Sequence, residues 1–154
     1  MASDTAIAIA PSSAEVDADA SWNRAAERLA ACGIRATDPR LRIAGMLLSA
    51  PQHLSAEQIT EALHRGGSPV SKATVYNTLN LFAARGLIRQ LNVDRNGAWF
   101  DSNVSPHYHF HDEHSGALTD VAPRDVQFSR LPQPPSGMEV AGIDVVIRLR
   151  RRTG

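Results

Sequence analysis

Residues 71–101 read SKATVYNTLNLFAARGLIRQLNVDRNGAWFD, and the fold turns on this stretch. Ser71 is a helix cap, because its hydroxyl can accept a bond from an otherwise orphaned amide of the first turn. Val75, Leu79 and Phe82 then recur at helical spacing and define a buried face, and Gly86 suits the position just past a helix end. Leu87 to Val93 reads as a strand, Asp94-Arg95-Asn96-Gly97 as a turn, and Ala98 to Asp101 as the returning strand. Asn-Gly between two such runs is a strong hairpin signal.

Upstream lie three more helical segments. Residues 22–32 set Trp22, Ala26, Leu29 and Ala30 on one face, followed by Gly33. Asp38-Pro39 reads as an N-cap with a first-turn proline. Leu41, Ala44, Leu47 and Leu48 follow at helical spacing, and Pro51 stops the run. Ser55-Ala56-Glu57-Gln58 is a capping box, Ile59, Ala62 and Leu63 follow it, and Gly66-Gly67 closes that helix. Short helices followed by a hairpin are in the order of a winged helix-turn-helix, spanning residues 21–101.

Downstream, residues 102–106 with Pro106 form a hinge. His107 to Phe110 is strand-like, and Gly116 to Val121 is its expected partner. Pro123 to Gly137 holds four prolines and reads mostly as loop, with a short helix near Asp125–Leu131. Ile143, Val145, Ile147 and Leu149 alternate with Asp144, Val146, Arg148 and Arg150, a strand pattern. So short and loop-rich a region, residues 107–154, does not bury a self-sufficient core, and it is expected to pair with another copy of the chain.

Composition sets the outer limits. The chain has 154 residues, 43% hydrophobic and 21% charged, which is ordinary for a soluble globular protein. No apolar run approaches the ~18 residues of a membrane span. The single Cys32 excludes an intrachain disulfide and any two- or four-cysteine zinc knuckle. The formal net charge is zero, but it is divided. Residues 1–20 carry four acids and no base, residues 21–100 ten bases against five acids, and residues 101–154 six bases against seven acids. Residues 1–20 lack the positive and apolar regions of a secretory signal and are expected to be a disordered acidic tail. The basic middle suits a polyanion.

The helix that follows Ser71 carries that reading further. Opposite its apolar stripe lie Lys72, Ala73, Tyr76, Asn77 and Asn80, a polar face free of acids. Asn pairs with adenine and apolar groups touch thymine methyls in a major groove. Ser71, Thr74 and the helix N-terminal amides suit phosphates. Arg35 and Arg40 on the neighbouring loop and helix, and Arg95 at the hairpin tip, suit the DNA backbone. The plain alternative is an ordinary solvated helix face.

Four of the six histidines sit at positions 107, 109, 111 and 114. On a strand His107, His109 and His111 point to one side and Tyr108 and Phe110 to the other. Two imidazoles two residues apart suit Zn²⁺, Fe²⁺ or Mn²⁺, with Asp101 just upstream and Asp120 on the partner strand. A surface histidine run without a ligand, or haem held through one imidazole, stays open on spacing alone. His64 reads as a surface residue and Cys32 as a small buried one.

These residues resemble a known family. His53-Leu54-Ser55-Ala56-Glu57-Gln58, then Ser71-Lys72-Ala73-Thr74-Val75-Tyr76-Asn77-Thr78-Leu79, then the His-x-His strand, are similar to the ferric uptake regulator family over roughly residues 22–150. Tyr76-Asn77-Thr78-Leu79, Trp99-Phe100-Asp101-Ser102-Asn103 and Gly137-Met138-Glu139 with Asp144 to Arg151 resemble its iron response regulator branch. The resemblance implies an α+β fold: an N-terminal winged helix-turn-helix domain and a small α/β dimerisation domain that also senses metal, residues 107–154. It implies one regulatory divalent ion (Fe, Mn or Zn) per subunit, held by His53, Asp101, His107, His109 and Asp120, which fixes the angle between two DNA-reading heads.

Two departures bear on cofactors. The double Cys-x-x-Cys that holds a structural zinc in many family members is missing, so no four-cysteine zinc is expected. The branch's three consecutive histidines become His107, Tyr108 and His109, which leaves haem contact to those three residues; Gly33 follows Cys32 where a Cys-Pro haem motif would stand. The expected protein is a cytoplasmic, metal- or haem-responsive transcriptional regulator of iron homeostasis and a repressor. It binds a pseudo-palindromic A·T-rich operator in double-stranded DNA as a homodimer or higher oligomer, without a membrane and without catalysis. Two rivals remain: a non-haem iron enzyme built on two His and one carboxylate, and a metal- or haem-binding module without DNA contact.

Overall fold

A computed structural model describes residues 13–94 and 97–152. Helix α1 spans Ser13–Ala31 and α2 Asp38–Leu47, and strand β1 spans His53–Ser55. Helices α3 (Ala56–Arg65) and α4 (Lys72–Ala84) come next in the chain, then strands β2 (Arg89–Asp94), β3 (Gly97–Asp101), β4 (Tyr108–Asp112), β5 (Leu118–Val121) and β6 (Val146–Leu149). The fold is α+β. No described helix is long and apolar enough to cross a membrane.

The four helices share one core. Val75, Leu79 and Phe82 of α4 are wholly buried, as the spacing predicts, against Leu29, Ile43, Leu47, Ile59 and Phe100. Ser55 caps α3 in a complete capping box with Gln58, and the Ser71 hydroxyl accepts from the Thr74 amide at the start of α4. At the end of α4, Gly86 takes φ +73° so that its amide and that of Leu87 reach back to the carbonyls of Ala83 and Phe82. A side chain there would be strained in that left-handed conformation.

Several expectations shift. The acidic tail was expected to be disordered through residue 20, but α1 begins at Ser13; residues 1–12 lie outside the described residues. Ala14, Glu15, Ala18 and Ala20 are strong helix formers, and acids early in a helix suit its positive end. Ala25 and Leu29 form the buried stripe of α1, while Trp22 and Ala30 lie exposed, so the stripe is rotated from the expected one. The cap position of α2 is Thr37, in extended backbone, rather than Asp38, which is the first helical residue and pairs with Arg42 one turn on, 2.7 Å away. The helix expected near Asp125–Leu131 is a single 3₁₀ turn, Pro123–Asp125. Pro132 and its neighbours disfavour helical backbone before them, and residues 127–131 bury no face.

Two small sheets bring residues distant in the chain side by side. In the first the order is β1-β3-β2, all antiparallel, with β1 added to the expected hairpin. His53 stands directly opposite Asp101. In the second the order is β5-β4-β6, with β5 antiparallel and β6 parallel to β4. There His109 stands directly opposite Asp120.

Candidate metal centre and nucleic-acid interface

Two cross-strand pairs, one from each sheet, face each other. Directly opposed residues on neighbouring strands hold their Cβ atoms ~5 Å apart, so each pair presents two side chains to one spot. His107, just ahead of β4, lies two residues before His109 and joins them. One ligand atom from each of His53, Asp101, His107, His109 and Asp120 lies within 4.8 Å of all the others.

The geometry centres on Asp101, which is 1% exposed. Its Oδ2 lies 2.7 Å from Nε2 of His107, 3.1 Å from that of His109 and 3.2 Å from that of His53. Asp120 Oδ1 lies 3.0 Å from His53 Nε2 and 3.5 Å from His107 Nε2. Burial works to raise the Asp101 pKa, but hydrogen bonding to His109 and His53 and the Asn103 amide outweigh it and hold the carboxyl well below the usual range. Burial works against charge on His53, yet the Asp101 and Asp120 carboxylates raise its pKa.

The donor chemistry fits a cation. Nδ1 of His107 lies 2.6 Å from the Ser105 carbonyl, so that nitrogen carries the proton and donates it. In the neutral ring Nε2 then offers a lone pair toward a carboxylate oxygen 2.7 Å away. Two acceptors at that distance repel unless a proton or a metal ion stands with them. His53 Nε2 is buried between the two carboxylates, 3.2 Å from Asp101 Oδ2 and 3.0 Å from Asp120 Oδ1. Three imidazoles and two carboxylates suit a borderline divalent ion. Backbone hydrogen bonds from Ser102 to Gln52 and from Asn103 to the Asp101 carboxylate hold the end of β3 in place.

The same strand separates the residues expected for haem. Tyr108 points to the other face of β4, where its ring meets Phe128 edge-on at 6.0 Å. His107, Tyr108 and His109 therefore do not converge, because side chains alternate along a strand. His111 is buried on the His107 side but outside the five-residue group. His64 is exposed and Cys32 is half-buried.

The second surface is the N-terminal half of α4. Ser71, Lys72, Ala73, Asn77 and Asn80 are exposed, and Thr74 and Tyr76 partly so. Arg40 joins them across a shallow cleft lined by Thr37, Pro39, Thr74, Asn77 and Thr78. Its guanidinium donates to the Arg35 carbonyl at 2.9 Å, which holds the exposed Arg35 beside it. Arg95 lies outside the described residues.

Glu57 was missed: the face read as free of acids, but this residue of α3 reaches it. The Tyr76 hydroxyl donates to Glu57 Oε1 at 2.7 Å, and Lys72 Nζ lies 3.4 Å from the same oxygen. The capping-box pattern had marked Glu57 only as a helix-start residue. That α3 packs across α4 is a tertiary fact that spacing along the chain does not carry.

Comparison with known proteins bears on both surfaces. Residues 31–145 match the model of the ferric uptake regulator family. The peroxide-responsive repressor PerR of Staphylococcus aureus strain Mu50 is 33% identical over 109 residues, which is 70% of this chain and 74% of that protein. The ferric uptake regulator of Pseudomonas aeruginosa, solved with manganese, superposes with a TM-score of 0.62 at 28% identity, covering 82% of this chain and 97% of that one. The fold also matches the Vibrio cholerae ferric uptake regulator, with a TM-score of 0.61 at 22% identity over 82% of this chain and 98% of that one.

Proposed function

The chain belongs to the ferric uptake regulator family of transcriptional regulators rather than enzymes, and from that premise we propose that it is a dimeric repressor of iron-homeostasis genes whose operator binding depends on a divalent ion. The observation that carries the reading is the meeting of two sheets at one cluster. His53 and Asp101 come from the winged head, and His107, His109 and Asp120 from the C-terminal sheet. His53, Asp101, His107, His109 and Asp120 would hold the ion, whose positive charge would tie the head to the sheet beyond the hinge at 102–106.

The head then presents α4 to the major groove of duplex DNA. Tyr76 and Asn77 read base edges, Ser71, Lys72 and Thr74 take phosphates, and Arg35, Arg40 and Arg95 hold the backbone. Two copies place two such helices on a pseudo-palindromic, A·T-rich operator. Pairing of copies is supported by the apolar residues that the C-terminal region leaves exposed, among them Phe128, Leu131, Met138, Val140 and Leu149. The cytoplasm is the compartment where such an operator is met.

The iron response regulator branch is supported by the motifs around Tyr76, Trp99 and Asp144. The P. aeruginosa structure holds manganese, and the same ion serves as the probe here. Metal is favoured over haem because Tyr108 turns away from His107 and His109.

The test is binding of promoter DNA by the purified protein, metal-free and with Mn²⁺, Fe²⁺, Zn²⁺ or haem. A protected palindrome is expected with a divalent ion and not without it. The double variant His107→Ala, His109→Ala is expected to lose tight Mn²⁺ binding in calorimetry and the protection with it. Wild-type metal affinity in the double variant, or equal protection by the metal-free protein, overturns the reading.

A further inference from the structure

The acid that reaches the α4 face needs an explanation, because a carboxylate on a surface that meets phosphates is repelled by them. Glu57 is exposed, so it is not kept there by packing. Its Oε1 has two partners, both on α4: the Tyr76 hydroxyl at 2.7 Å and the Lys72 ammonium at 3.4 Å. Lys72 Nζ also stands 5.9 Å from the Tyr76 ring centroid. Glu57, Lys72 and Tyr76 thus form one triangle at the start of the helix.

A phenol has one proton and accepts through its oxygen lone pairs. When the proton is committed to Glu57, only acceptor capacity remains for anything else the hydroxyl meets. In the major groove the donors are the N6 amine of adenine and the N4 amine of cytosine, whereas thymine O4 and guanine O6 are acceptors. Lys72 offsets the carboxylate charge, so the acid is tolerated at a face that approaches DNA. The Glu57 pKa is lowered by the Tyr76 bond, and that bond raises the Tyr76 pKa, which keeps the donor neutral and the acceptor ionised at neutral pH.

We propose that Glu57 is a specificity-determining residue that acts through Tyr76: it takes the phenol proton and so makes Tyr76 select an amine-bearing base, adenine or cytosine, at one position in each half-site. This rests on the assignment of α4 as the DNA-reading helix.

The experiment is selection from a library of randomised duplexes with the full-length, Mn²⁺-loaded protein, followed by affinity measurements at fixed salt on duplexes that differ at each selected position. Wild type is expected to prefer an amine-bearing base at one position by about tenfold, the scale of a directed base contact. Glu57→Ala is expected to bring that preference within about threefold, because the freed hydroxyl then donates as readily as it accepts. Tyr76→Phe is expected to lose the same preference at the same position, and Glu57→Ala with Tyr76→Phe to lose no more than either alone. Glu57→Gln, whose amide oxygen still accepts the phenol proton, is expected to keep it.

A wild-type preference at every position in Glu57→Ala overturns the proposal, as does an additive double variant. These outcomes differ from failure of the underlying assignment, in which Tyr76→Ala selects the same sequences with the same affinity as wild type. Unchanged thermal midpoints in all variants keep the comparison free of folding defects.

Discussion

Asp101 Oδ2 is approached by three imidazole nitrogens within 3.2 Å, so its charge is the anchor of the cluster. Even groups that only orient a metal ligand are worth ~10–100-fold in affinity. Asp101→Asn is therefore expected to weaken Mn²⁺ binding by at least about tenfold, read by calorimetry; unchanged affinity would remove Asp101 from the site. The metal-free protein carries a signature of the same residues. Asp101, held low, stabilises the fold above the ~4 of an unfolded carboxyl and loses that contribution as pH falls through its lower folded value. His53, held high, contributes fully below the ~6.5 of an unfolded imidazole and loses it as pH rises through its raised value. In EDTA the thermal midpoint is thus expected to fall between pH 6 and pH 8. A midpoint that climbs over that range contradicts the assignment. At this scale the His-x-His pair and both aspartates were marked by spacing as candidate ligands, and the structure brings them together. His53 was not: it stands 48 residues before Asp101 in the chain, and only the family resemblance pointed to it.

The elements explain why such residues meet. Helix α4 is anchored by Phe82, which is wholly buried, and its polar half is thereby turned outward. Phe82→Ala is expected to cost ~3–5 kcal/mol in urea unfolding, as for other buried aromatics. Ser71→Ala, which deletes the bond to the Thr74 amide, is expected to cost ~1 kcal/mol. A loss below about 1 kcal/mol for Phe82→Ala would mean that this core is not the one that forms in solution. Helices α2, α3 and α4 and the hairpin could be read from caps, glycines and periodicity because those signals are local. Strand β1 could not. Three residues, His53–Ser55, show no alternation to read, and their strand character exists only through pairing with β3. The expected helix after Pro123 failed for the opposite reason, since a plausible composition had no apolar face to bury.

On the scale of the whole molecule, the head and the C-terminal region also touch away from the cluster. Arg89 of β2 pairs with Asp144 at 2.8 Å, and Arg148 of β6 donates to the Val93 carbonyl at 3.3 Å. The Arg89–Asp144 pair is largely exposed on the Asp144 side, so Coulomb attraction there is screened. Arg89→Ala is expected to shift the unfolding free energy by no more than ~1 kcal/mol and to leave metal affinity unchanged, whereas removal of a bound ion is expected to loosen the two regions from each other. If Arg89→Ala instead abolished Mn²⁺-dependent DNA binding, the ion pair rather than the ion would be what joins them. Division into a helical head and a strand-rich remainder was legible from composition and turn signals. The contacts between them were not, because they pair residues 55 apart in the chain. The central claim is that one ion joins the two sheets, and anomalous diffraction from crystals of the Mn²⁺-loaded protein tests it most directly. The account predicts one strong peak bonded by His53 and Asp101 of the head together with His107, His109 and Asp120. A manganese peak elsewhere, or one held without His53 and Asp101, would contradict it.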